Sequence, residues 1–110
     1  MTLQKFENCL KESGIPVAHY EILQTNPPYI VYQELSTTYK YASGQPVEES
    51  TSIEVVHFTK KAFDPSLERL KEVLIKNKIG FTIAHAFNPG EKTIVNQFDL
   101  TISKDMGFDE

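Results

Sequence analysis

The sequence predicts an α+β domain, with two helices packed on one face of a mostly antiparallel sheet in the order α-β-β-(hairpin arm)-β-α-β-β. Three observations carry that prediction. Residues 53–83 read as strand, helix, strand, with start and stop signals on the helix. Residues 2–12 place Leu3, Phe6 and Leu10 at helical spacing, which makes a second helix with one apolar stripe. Residues 29–35 are aromatic and β-branched, and Pro89-Gly90 joins residues 81–87 to 93–102 as a terminal hairpin. Two helices with single stripes suit one face of a sheet.

In chain order, Thr2 caps the first helix and Gly14 stops it, with Cys9 beside the apolar stripe. Pro16 opens a strand over residues 17–22, and Asn26-Pro27-Pro28 breaks it. A strand over 29–35 follows. Residues 36–50 differ in kind: they have strand-like residues with little to bury, and Ser43-Gly44-Gln45-Pro46 reads as a turn. Two pictures stay open for this stretch, a hairpin arm projecting from the sheet or a mobile loop. The chain enters a strong strand at Thr51.

Asp64 and Pro65 then start the second helix, Leu67, Leu70, Val73 and Leu74 form its stripe, and Glu72 and Lys76 pair on its outer face. Gly80 supplies a left-handed stop. In the last strand Ile94, Phe98, Leu100 and Ile102 share one face, with Asn96 the polar exception. Residues 104–110 form a polar, poorly ordered tail, so the domain spans 1–103 with its arm at 36–50.

At 110 residues the chain makes one domain that buries roughly 65% of its unfolded surface without metal or disulfide. Hydrophobic residues at 40% and charged residues at 24% indicate an ordinary globular protein. No apolar run is long enough for a membrane span, and no leader pattern is read, so the expected place of synthesis and residence is the cytosol. A net charge of −4, with Lys60-Lys61 the one adjacent basic pair, argues against sequence-specific or strong nucleic-acid binding. The single cysteine excludes an internal disulfide.

The chemistry-bearing residues point to no reaction. His19, His57 and His85 lie on three separate strands without the spacing of a metal motif, and read as packed or edge histidines. Cys9 reads as a small buried hydrophobe, the carboxylates as solvated surface, and the five scattered glycines cradle no phosphate. No catalytic residue, cofactor or metal ligand is therefore assigned. Tyr39 and Tyr41, two apart on one strand face, suit a protein interface, since rigid amphipathic rings are enriched there.

The order of motifs is recognisable. The segments Gly14-Ile15-Pro16-Val17-Ala18 and Pro27-Pro28-Tyr29-Ile30-Val31-Tyr32 resemble the "GIPVAY" and "PPYIVY" segments of the small tail-completion and tail-terminator proteins of long-tailed bacteriophages and prophages. Val56-His57-Phe58-Thr59-Lys60-Lys61 resembles their charged "YTKK" strand end, Asp64-Pro65-Ser66-Leu67 their helix start, and Asn77-Lys78-Ile79-Gly80-Phe81 their "NGI" close. The resemblance covers residues 10–102 and weakens at the arm and the tail.

It implies a structural virion protein with no catalytic residue. It also implies a ring, commonly of six copies, that caps the tail tube and meets the head connector. Its partners are then copies of itself, the tail-tube protein and the connector; the residues expected at an interface are Tyr39 and Tyr41, from their type and spacing, with Lys60 and Lys61. Its location is the host cytoplasm during assembly and then the head-proximal end of the tail. The alternatives are a head-side connector component and, in a different class, a small-ligand or metal-binding domain using the histidines.

Overall fold

The computed structural model describes residues 1–20 and 26–106. Helix α1 (Leu3–Lys11) is followed by strands β1 (Val17–His19), β2 (Tyr29–Ala42) and β3 (Gln45–Thr59). Helix α2 (Pro65–Lys76) and strands β4 (Phe81–Asn88) and β5 (Thr93–Asp105) complete the chain. The five strands lie in the order β1-β2-β3-β5-β4. The pair β1–β2 is parallel and every other pair is antiparallel, so the α+β prediction holds. No helix among the described residues is long and apolar enough to cross a membrane.

The core lies between the two helices and one face of the sheet. Along β3 every second residue from Thr51 to Thr59 is buried, the period-two signature of a strand covered on one side. Ile53 and Val55 of β3 meet Ile30 and Tyr32 of β2, Phe98 and Leu100 of β5, Phe6 and Leu10 of α1, and Leu70 and Leu74 of α2. Leu67 and Val73 flank that stripe and are half-buried. Arg69 Nε donates to the Ser13 carbonyl at 3.1 Å, and Lys76 pairs with Glu12 at 3.7 Å, so α2 is tied to the end of α1. That contact takes Lys76 away from the expected pair with Glu72. On α2 itself the close ion pair is Lys71 with Glu68.

Both helix starts follow the sequence. Thr2 accepts from the Lys5 amide, and Asp64 accepts from the Ser66 amide with Pro65 first in the helix. The stop of α2 does not. Lys78, not Gly80, takes the left-handed conformation, at φ 59°. The Ile79 amide donates to the Leu74 carbonyl, and the Lys78 amide to that of Ile75, the double bond of a Schellman close. With Lys78 in that role, buried Ile79 packs over buried Leu74. Had Gly80 taken it, Phe81 would have faced the exposed Lys76. The apolar contact outweighs the roughly 1 kcal/mol cost of a left-handed lysine.

The arm, residues 36–50, is a regular hairpin. Ser43 and Gly44 both have positive φ, which is the two-residue turn that matches strand twist. Register shifts fall beside Leu35 on β2 and Val47 on β3. Strand β5 runs on to pair Lys104 with Glu49 and Asp105 with Glu48, so the base of the arm is three-stranded. Lys104 and Asp105 thus belong to the sheet rather than to the tail, because β3 offers them an open edge. Residues 107–110 of the expected tail, and residues 21 and 22 of the first expected strand, lie outside the described residues. The hairpin between β4 and β5 has a four-residue turn over 89–92, with Lys92 left-handed and Asn88 Oδ1 accepting from the Gly90 and Glu91 amides.

Truncating Leu70 to Ala leaves a cavity beneath α2 and should cost about 2–5 kcal/mol, measured by urea denaturation. An unchanged midpoint would contradict the packing described. The two glycines should also part company in thermal melts. Gly14, at φ 76°, should lose about 1 kcal/mol on change to Ala, whereas Gly80→Ala, with open space at its Cβ, should stay within about 0.5 kcal/mol of the parent.

Candidate interaction surface

The residues expected at an interface fall into two groups at opposite ends of β3. Tyr39 and Tyr41 lie on the outer half of β2, opposite Glu49 and Pro46, and are 47% and 64% exposed. Lys60 and Lys61 lie beyond the other end of β3, on the exposed loop that leads into α2. The molecule extends 53 Å along its long axis and 24 Å and 23 Å across it. One partner of ordinary size would not touch both groups through a single compact patch.

Between the two ends runs the sheet face that the helices leave uncovered. Tyr29 and Val31 of β2 pair with Phe58 and Val56 of β3, and the Tyr29 and Phe58 rings stack at 4.8 Å. With Tyr20, Gln33, Glu54 and Glu91 they line a groove of about 490 Å³. Glu54 accepts from Gln33 and Gln97, and no cation pairs with it among the described residues. Sequence reasoning assigned no role to this face, although a signal was present. Val55-Val56-His57-Phe58 is apolar on both sides of the strand, and a strand exposed on one face would alternate.

The covered face carries a polar chain at the start of α2. His85 Nδ1–H donates to Asn96 Oδ1 at 2.6 Å, and the Asn96 amide nitrogen donates to His57 Nδ1 at 3.2 Å. His57 therefore carries its proton on Nε2 and donates to Ser66 Oγ at 2.8 Å. The Ser66 amide donates to Asp64, and so does the Thr59 hydroxyl at 2.5 Å. A serine beside a histidine suggests nucleophilic chemistry, but the proton runs the wrong way here. A base that activates serine must present a bare nitrogen to the hydroxyl. Ser66 and His57 are also 1% and 0% exposed, so no substrate reaches them.

His19 is elsewhere, stacked on Tyr32 at 4.4 Å with Nε2 2.6 Å from Glu34. The three histidines do not converge, and no cluster of three or more metal-ligating side chains occurs among the described residues. Cys9 is buried in α1, and burial pushes its thiol pKa up, away from reactivity. Tyr32 is similarly pushed up by burial and by its hydrogen bond to Glu7, whose own pKa that bond lowers. Of these groups Tyr32 belongs to the core cluster and Cys9 is buried beside it.

No protein-family model matches the chain, and no curated protein matches it. Its site therefore rests on its own geometry.

Burial lowers the pKa of His57 below the ordinary 6.5. Burial by itself would raise Asp64, but the hydrogen bonds from Thr59 and Ser66 outweigh it and hold the carboxyl below 3.8. The unfolded chain thus binds protons more readily at both positions, and acid should destabilise the fold. Stability should begin to fall as pH drops below about 6.5, through His57, by at most about 1.4 kcal/mol per pH unit. It should fall again below about pH 4, through Asp64. Urea midpoints measured from about pH 8 to about pH 2.5 check both declines, and His57→Gln should flatten the first.

Proposed function

We propose that this chain is a structural assembly protein of the tail-terminator type. In this reading it closes a ring on the head-proximal end of a phage or prophage tail and joins the tail to the head. The observation that carries the reading is the arm. It projects Tyr39 and Tyr41 away from the core on a hairpin whose base is braced by β5, so the backbone that carries the rings is already ordered. Aromatic side chains with few rotatable bonds on an already ordered backbone bind with little further ordering cost, which favours them as interface anchors. The motif resemblance supplies the biological setting. Ring closure needs a head-to-tail contact between unlike surfaces, and this molecule offers unlike surfaces at its two ends.

Changing both Tyr39 and Tyr41 to Ser should leave monomer stability within about 0.5 kcal/mol, because the rings stand outside the core. Tails assembled with that double variant should be of uncontrolled length or should fail to join heads. Electron microscopy of the lysates measures both. Uniform tails on filled heads would reduce the arm to a structural hairpin, and a large loss of stability would place the tyrosines in the core.

A further inference from the structure

The loop between β3 and α2 presents Phe63 to solvent without any cover, at 101% of its reference exposure. Its backbone is left-handed, at φ 57°, where a bulky side chain is uncommon. The loop is nonetheless firmly held. Thr59, buried at its start, accepts from the Lys61 amide and donates to Asp64, and Asp64 is pinned to the Ser66 amide. An aromatic ring is thus held out on a braced loop, with Lys60 and Lys61 beside it. Neither lysine pairs with a carboxylate among the described residues.

The groove on the open sheet face has the complementary character. Its floor is Tyr29, Val31, Val56 and Phe58, and its rim carries Glu54 and Glu91, which pair with no cation among the described residues. We infer that the loop of residues 60–63 docks in this groove of a second copy of the chain, with Phe63 on the apolar floor and the two lysines on the rim carboxylates. The loop cannot fill the groove of its own chain. Lys60 borders the end of that groove, beside Glu91, Tyr29 and Phe58 of its own chain, but the loop's other end at Asp64 is bonded to Thr59 and Ser66 on the covered face, and Phe63 stands fully exposed, off the floor. Burying one phenylalanine removes about 150–250 Å² from water, and a groove of about 490 Å³ has room for the ring. Unlike surfaces that meet in this way pair reciprocally, close into a ring where the rotation allows it, or otherwise run on as an open filament. This deepens the assembly reading by naming a contact between copies, and it rests on that reading for its biological use. The tyrosine arm takes no part in it.

A charge-swap experiment tests the contact by sedimentation equilibrium of the purified chain. Phe63→Ser should weaken self-association about 30-fold or more, as removal of a central aromatic anchor does. Lys60→Glu with Lys61→Glu should abolish association by setting acid against acid. Glu54→Lys with Glu91→Lys should abolish it by setting base against base. An equimolar mixture of those two variants should associate again, because each loop then meets a groove of opposite sign. All three lie outside the core, and circular dichroism should show a folded chain in each, with parental melting except where Glu54→Lys removes the acceptor of Gln33 and Gln97.

A wild-type chain that stays monomeric, swaps that leave association unchanged, or a mixture that fails to recover would each overturn the contact. So would binding of the monomer to phosphatidylserine vesicles that is lost in Phe63→Ser, since the loop would then be a membrane anchor. If the tyrosine variant spoils tails while the swaps change nothing, the assembly reading stands and this contact falls. If the swaps behave as described and the tyrosine variant assembles normally, the contact stands without the arm.

Discussion

Burial of alternate residues along β3 beneath two helices is the constraint on which the rest of the structure depends. The strand is bonded along both edges, to β2 and to β5, and its inward side chains meet Leu70 and Leu74 of α2. A one-residue slip would turn Ile53 and Val55 outward and Glu54 inward, so the register is strongly specified. The helices have 9 and 12 residues, whereas β2, β3 and β5 have 13 to 15. A helix rises less than half as far per residue as a strand, so α1 and α2 cannot cover the full length of the sheet. The arm is the uncovered remainder. Beyond the helices its residues become mostly serine, threonine and charge, with Tyr39, Tyr41 and Val47 exposed among them.

The polar chain at the start of α2 follows from the same geometry. The odd positions of β3 point into the core, so His57 and Thr59 must enter it and must find partners. Buried polar groups without hydrogen bonds are costly, and Ser66, Asn96 and Asp64 supply the bonds. The cap of α2 is therefore part of the sheet packing. Asp64 serves the helix end and braces the loop of residues 60–63 at the same time, which links core packing to the exposed Phe63.

Parts of this were legible in the residues themselves. The Asp64-Pro65 start, the Leu70 and Leu74 stripe, and the face shared by Phe98, Leu100 and Ile102 are local patterns, and local patterns survive folding when the core agrees with them. Gly80 misled because propensity is a weak preference, and the packing of Ile79 on Leu74 decided the stop two residues earlier. The arm was legible at residues 36–50 from its Ser43-Gly44 turn, but hairpin and mobile loop stayed open because its strands carry no apolar alternation. Backbone pairing of β2 with β3, joined by β5 at the base, builds them, and pairing leaves little mark in a sequence. Tyr39 and Tyr41 were picked out by type and spacing. The groove beside Phe58 was not, since its walls come from strands far apart in the chain.

The sequence by itself determined the class of fold, the two helix starts and the buried stripes, because each depends on spacing within one segment. Tertiary structure decided which sheet face stayed open, how far β5 extends, and where Lys76 finds its partner. It also decided that Lys60-Lys61 and the two tyrosines stand at opposite ends of the molecule, and that Phe63 stands free on a braced loop. Each of these depends on contacts between residues distant in the chain. Such contacts arise from the shared burial of apolar surface, a property of the assembled core rather than of any one segment.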